Sequence, residues 1–141
     1  EGWSIQASQD TLTRQESKLF RKGVSLLKEG KLLKAHTAWE AIWKTDRGNE
    51  REWIRGFIQL TGALLKLKMN QPGSSKYLIR KAMHNLGNGK EDRQIVSNAT
   101  MDYLASLRTA MESETLCKKP EHEAQELGRH LLNDSVLGFG K

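Results

Sequence analysis

A histidine and a glutamate stand four residues apart in the stretch KAHTAWEAIW, at positions 36 and 40. Residues four apart are neighbours on a helix surface, so His36 and Glu40 are close enough for an imidazole–carboxylate hydrogen bond or for two metal ligands. A zinc site needs at least three protein ligands, and Thr37 and Glu40 occupy positions that the H-E-x-x-H motif gives to other residues. We therefore expect no metal site and no cofactor here.

Trp43 and Gln59 extend this pair into a candidate polar cluster. Trp43 falls beside His36 on the apolar stripe of its predicted helix, and Gln59 lies on the next predicted helix between two small residues. A buried amide destabilises a fold unless it is hydrogen-bonded, so we expect the Gln59 amide to reach His36 and Glu40. Two interpretations stay open, a polar network that fixes the register of two helices and the floor of a ligand or catalytic pocket.

A second candidate site is a basic face on the fourth predicted helix. Its residues are Lys76, Tyr77, Arg80, Lys81 and His84. From Trp53 to Lys90 the sequence has 7 Lys and Arg residues and no acidic residue, so this region could attract phosphates. Charged helix faces are usually only solvated, and no nucleic-acid-binding motif is present, so RNA or another polyanion is an alternative of lower weight.

Composition limits the class of protein. With 141 residues, 37% of them apolar, the chain is long enough for one helical domain. No apolar run approaches the roughly 20 residues that span a bilayer, so we expect no membrane partner. The single cysteine cannot form an internal disulfide, and the expected location is the cytoplasm. Because the sequence starts at Glu1, it stays open whether a targeting segment has been removed.

Apolar residues recur at intervals of three and four, which predicts helices rather than strands. The residues Thr13-Arg14-Gln15-Glu16 match the capping box that starts a helix, and Gly30 ends that helix. Further helices are predicted over about 31–44, 50–69, 74–86 and 91–112, with a short sixth one from Pro120. The chain from Leu132 onward is expected to fray. Short connections favour antiparallel neighbours, so the predicted fold class is all-α, an antiparallel bundle of five to six helices.

Three parts of the chain are predicted. Residues 1–12 form an N-terminal tail, 13–87 a helical core, and 88–141 a C-terminal helical extension that packs on the core. The boundary lies within Gly87-Asn88-Gly89, where basic residues give way to acidic ones. A faint internal echo relates 26–44 to 64–86, each with two helices around a turn, so a helix-hairpin repeat is an alternative architecture.

The order of several rare residues resembles a known family. The pattern comprises Phe20-x-x-Gly23, Gly30-x-x-x-x-Ala35-His36-x-x-x-Glu40-x-x-Trp43, Arg51-x-x-x-x-Gly56-x-Ile58-Gln59-Leu60-x-x-Ala63 and Lys81-Ala82-x-x-x-Leu86. It is similar to the domain of unknown function 309, a family of small helical proteins of bacteria and archaea. The resemblance covers about half the chain, from Leu19 to Leu86.

This resemblance implies an all-α bundle and assigns no activity. It also implies a polar cluster of His36, Glu40 and Gln59 with Trp43 beside it. At two positions where the family has an acidic residue, this chain has Lys34 and Thr37. Chemistry that needs those carboxylates would therefore be lost in this chain.

Three functional hypotheses follow. The first is a non-enzymatic binding or assembly module, with a protein partner or a second copy of the chain, in which His36, Glu40 and Gln59 hold central helices in register. The second is an enzyme whose small-molecule or metal pocket is built on the same cluster. The third is a binder of RNA or another polyanion through the face from Lys76 to Lys81. We favour the first hypothesis, in which the protein has no catalytic activity.

Overall fold

A computed structural model describes residues 12–44, 52–87, 94–116 and 118–139. Within these ranges the chain forms six α-helices and no strand, which confirms the predicted all-α class. The helices are α1 (Arg14–Lys28), α2 (Leu32–Trp43), α3 (Glu52–Lys68), α4 (Pro72–Gly87), α5 (Asn98–Ser113) and α6 (Pro120–Leu132). Most of the predicted N-terminal tail, the turn over 45–49 and the break at 88–89 lie outside the described residues.

The six helices form a closed bundle. Each helix packs on the next one in the chain, and α6 packs back on both α1 and α3. In a repeat solenoid each unit contacts only its neighbours, so the contact between α6 and α1 excludes that alternative for the described part of the chain. Because α3 contacts α2, α4 and α6, it is the central helix, as its broad apolar circumference predicts.

Left-handed residues end α1, α3 and α5 and reverse the chain. These residues are Gly30 (φ 80°), Asn70 (φ 62°) and Glu114 (φ 56°). After each one, the next N–H donates to a carbonyl five residues back, in the Schellman geometry: Lys31 to Leu26 (2.9 Å), Gln71 to Lys66 (2.8 Å) and Thr115 to Ala110 (2.9 Å). Glycine adopts this conformation without strain, whereas asparagine and especially glutamate do so at a cost.

The core is centred on Phe20 of α1. Its ring stacks on Trp39 at a centroid distance of 5.5 Å and meets Phe57 edge to face at 4.9 Å. The Trp39 Nε1–H donates to the Phe20 carbonyl at 3.1 Å. A Cβ on Gly23 would lie 2.1 Å from Trp39 Nε1, so only glycine leaves room for the indole against α1. The tryptophan Trp39 therefore belongs to the core, with 0% exposure.

Two expectations about the C-terminal part are corrected. The helix predicted from residue 91 begins at Asn98, and residues 94–97 before it are not helical. Residues beyond Leu132, expected to fray, instead fold back, and Leu137 is fully buried. Both differences have one cause. The buried Asp134 carboxylate accepts from the Ser97 N–H at 2.8 Å and from the Leu137 N–H at 3.1 Å, so it fixes the start of α5 and the C-terminal turn together.

Candidate functional site

His36 lies where α2 meets α3, with both ring nitrogens facing side chains. Its Nδ1 lies 2.7 Å from the Thr61 hydroxyl oxygen on α3. Its Nε2 lies 3.3 Å from a carboxylate oxygen of Glu40, one turn further along α2. The His36 side chain is 18% exposed and that of Glu40 is 48% exposed. The imidazole is thus largely covered, while its carboxylate neighbour reaches solvent.

The hydrogen bond of Thr61 determines the tautomer of His36. Thr61 donates its only hydroxyl hydrogen to the Ile58 carbonyl at 2.8 Å. It must therefore accept from His36, which places a hydrogen on Nδ1. The Nε2 atom of a neutral ring then carries a lone pair towards the Glu40 carboxylate, and a hydrogen bond between them requires a second proton on the ring.

Gln59 does not join this cluster, which corrects the predicted membership. Its amide oxygen accepts instead from the Asn85 side chain of α4 at 2.8 Å. The cause is helical rotation, because two residues along a helix turn the direction of a side chain by about 200°. Thr61 therefore faces α2 and Gln59 faces α4. The sequence signal for the polar partner of His36 is therefore Thr61, the polar residue on the side of α3 that faces α2.

Trp43 packs against the core as a partly buried residue, and no ring contact between it and His36 occurs in the described part of the chain. Gly62 of α3 lies beside the His36 ring. A Cβ on Gly62 would lie 3.9 Å from His36 Cε1 and 3.3 Å from Leu78 Cδ1 of α4. Side chains of α2 and α4 therefore approach each other over α3 at this glycine.

The predicted basic face on α4 is partly neutralised by α5. Lys76 Nζ lies 3.2 Å from a Glu114 carboxylate oxygen, and Arg80 Nε lies 2.9 Å from one of Glu112. Lys81 extends over the Tyr77 ring, 5.8 Å from its centroid. The last member of the face, His84, is exposed. Two of its cations are thus engaged by carboxylates of the neighbouring helix.

A further polar cluster joins α5 to α6 and escaped the sequence analysis. The Tyr103 hydroxyl donates to the Glu123 carboxylate at 2.9 Å, and the Tyr103 ring stacks on His130 with centroids 4.2 Å apart. Burial raises the pKa of Tyr103 well above its usual range, and the negative charge of Glu123 raises it further. The only signal in the sequence is the spacing of Glu123 and His130, seven residues apart on one side of α6.

No group of three or more His, Cys, Asp or Glu side chains in the described residues is arranged to hold a metal ion. No helix in the described ranges is long and apolar enough to cross a membrane.

Comparison with known proteins gives one family. Residues 20–78 match the family model described as a domain of unknown function, DUF309. Neither the curated proteins nor the solved structures give a match. The matched segment runs from the first half of α1 to the first half of α4 and includes His36, Glu40 and Thr61. This match confirms the resemblance in the order of rare residues over residues 20–78.

Proposed function

We propose that the chain is a non-enzymatic binding or assembly module in which His36 fixes the register of α2 on α3. One observation carries this proposal: both ring nitrogens of His36 face side chains of the chain itself, Thr61 at 2.7 Å and Glu40 at 3.3 Å. A general base or a metal ligand needs a nitrogen that can reach the substrate or the metal. The hydrogen bond from Nδ1 to Thr61 across two helices, and the position of Nε2 in front of Glu40, support a structural role for the imidazole.

A double-mutant cycle on His36→Ala and Thr61→Val tests this role. Each single variant removes one partner of the cross-helix hydrogen bond, and the remaining partner loses that bond. Each variant should therefore lower the free energy of unfolding by about 1–2 kcal/mol. The double variant should lose less than the sum, by roughly 0.5–1.5 kcal/mol, because the bond can be lost only once. Urea denaturation of the four proteins measures this difference.

The matched control is Thr37→Val on α2, an exposed threonine next to His36 in sequence. It should change the stability by less than about 0.5 kcal/mol, alone or with His36→Ala. Additive losses for His36→Ala and Thr61→Val would contradict the register role. Unchanged stability in His36→Ala, together with loss of a bound small molecule or metal, would favour the enzyme hypothesis.

The polyanion alternative receives less support from the geometry. Lys76 and Arg80 are engaged by Glu114 and Glu112, so anions would have to displace one carboxylate on α5 and one directly after its end. The hypothesis still predicts an RNA affinity that falls steeply with added salt, because phosphate contacts release counterions.

A further inference from the structure

An apolar stripe on the outward side of α3 is left partly uncovered. Ile58, Gly62, Leu65 and Met69 follow the spacing i, i+4, i+7 and i+11, so they share one side of the helix. Ile58, Gly62 and Leu65 are half-buried, and Met69 is 56% exposed. The stripe extends over roughly 16 Å, about three helical turns.

The flanking helices line this stripe on both sides. His36 of α2 and Leu78 of α4 both come within 4 Å of the position of a Cβ on Gly62. Leu33 lies three residues before His36 on the same side of α2 and is 63% exposed. The outer α3 face is defined here as Ile58, Gly62, Leu65 and Met69 with Leu33, His36 and Leu78.

The charge beside this face is positive on the α4 side. Lys66 follows Gly62 by one turn, and Lys81 follows Leu78 by three residues, so both lie next to the point where α3 meets α4. In the described part of the chain neither lysine forms an ion pair, whereas Lys68 is paired with Glu121 of α6 and Lys76 with Glu114, directly after α5. From Trp53 to Gly87 the sequence contains no acidic residue that could neutralise them.

We infer that the outer α3 face binds an acidic amphipathic helix of a partner protein, which rests on the proposed role as a binding module and names its partner. Apolar side chains of the partner at helical spacing would cover the stripe, and its carboxylates would lie beside Lys66 and Lys81. Helices commonly bind in this way, with apolar anchors three and four residues apart.

The chemistry of the outer α3 face favours an acidic helix over a second copy of the chain, a bilayer or nucleic acid. A second copy would place the same unpaired lysines against each other, in a chain of net charge +6. A bilayer could not reach Ile58 and Leu65, which are half-buried on α3 between α2 and α4. Nucleic acid would place phosphates on an apolar stripe.

The test uses the full chain and a synthetic helix as probe. The probe is a stapled peptide of about 16 residues, enough to cover the roughly 16 Å stripe, with leucines at i, i+4, i+7 and i+11 and glutamates along one edge. A peptide of the same composition with the leucines scattered round the helix is the control. Fluorescence anisotropy should show binding of the first peptide only, weakening as salt is added.

Two pairs of variants assign the binding to the face. Met69→Glu should raise the Kd at least about tenfold, because it replaces an apolar contact by a charge. Val136→Glu, at a 39% exposed apolar position outside the face, should leave it unchanged. Lys81→Glu should raise the Kd several-fold, and Lys22→Glu, on the exposed side of α1, should not. Circular dichroism verifies that every variant is folded.

Several results would overturn the inference. They are equal binding of the scattered peptide, binding that Met69→Glu leaves intact, and no binding of either peptide. Binding of phosphatidylserine vesicles, but not of the peptide, in a manner sensitive to Met69→Glu would identify a membrane surface instead. Dimers that Met69→Glu disrupts in analytical ultracentrifugation would identify a second copy. None of these results changes the His36–Thr61 cycle, which is measured without a partner, so the two proposals fail separately.

Discussion

At the scale of single residues, the hydrogen bonds of His36 and Tyr103 show how neighbouring side chains set the protonation of a group. Thr61 determines which nitrogen of His36 carries the hydrogen, because its own hydrogen goes to Ile58. Burial raises the pKa of Tyr103, and Glu123 raises it further by placing a negative charge beside the hydroxyl and by accepting its hydrogen at 2.9 Å. The second arrangement gives a testable dependence of stability on pH.

The raised pKa of Tyr103 predicts a loss of stability at alkaline pH. An unfolded tyrosine loses its proton near pH 10, whereas the folded chain retains the proton at that pH, so unfolding then releases a proton. The contribution of Tyr103 to the free energy of unfolding should therefore be constant below about pH 10 and fall as the pH rises further. Urea denaturation between about pH 8 and pH 11 measures the slope.

Two variants isolate this effect from the titration of lysines. Tyr103→Phe should remove the part of the alkaline slope that belongs to Tyr103, and an unchanged slope would contradict the assignment. Glu123→Gln removes the negative charge and should lower the pKa of Tyr103, which absorbance of the phenolate near 295 nm detects.

At the scale of elements, residues near in sequence set most helix starts and ends, and distant ones set the remainder. The capping box of Thr13 and Glu16 is present as the sequence predicts, with hydrogen bonds in both directions. The start of α5 could not be predicted, because the Asp134 carboxylate that accepts from Ser97 lies 37 residues further on. The prediction for Gln59 is wrong for a related reason. The rotation of α3 between α2 and α4 depends on packing against those helices, which the sequence of α3 alone does not determine.

The left-handed residue at the end of α5 predicts a stabilising substitution. Glu114 has a φ of 56°, and relief of this conformation in Glu114→Gly should stabilise the chain by about 1 kcal/mol. The variant also loses the ion pair with Lys76, but Glu114 is 66% exposed, and such a pair is worth at most about 0.5 kcal/mol. The net result should be a gain of roughly 0.5 kcal/mol, measured by thermal denaturation.

The same turn geometry at the end of α1 supplies the control. Gly30 has a φ of 80°, so Gly30→Ala should destabilise the chain by about 1 kcal/mol. If Glu114→Gly were less stable than the parent, the ion pair would outweigh the backbone strain.

At the scale of the whole molecule, α6 closes the bundle by very tight packing on α1. A Cβ on Gly128 would lie 2.6 Å from the backbone nitrogen of Lys28, so the two helix backbones are in direct contact there. Leu127 and Leu131 of α6 are fully buried. The all-α class follows from the spacing of apolar residues, but this closure does not, because it joins the first described helix to the last.

Removal of α5 and α6 tests whether the predicted core, residues 13–87, folds alone. A fragment ending at residue 93 uncovers the sides of α1 and α3 on which α6 packs. We expect it to lose the cooperative thermal transition and to bind the dye ANS, since loss of tertiary packing exposes apolar surface. The full chain is the reference for both measurements. A sharp transition in the fragment would instead make the C-terminal part a separable addition.

The stacking of Phe139 on Phe20, with ring centroids 5.9 Å apart, brings the last described residues next to the first helix. Together with the contact between α6 and α1, it means that a peptide linker could join residue 139 to the start of α1 in a chain cut back to the described residues. New termini could then open at the exposed residues Lys118 and Lys119, between α5 and α6. The order of the helices along the polypeptide is thus separable from their arrangement in space, and a circularly permuted chain should reach the same bundle.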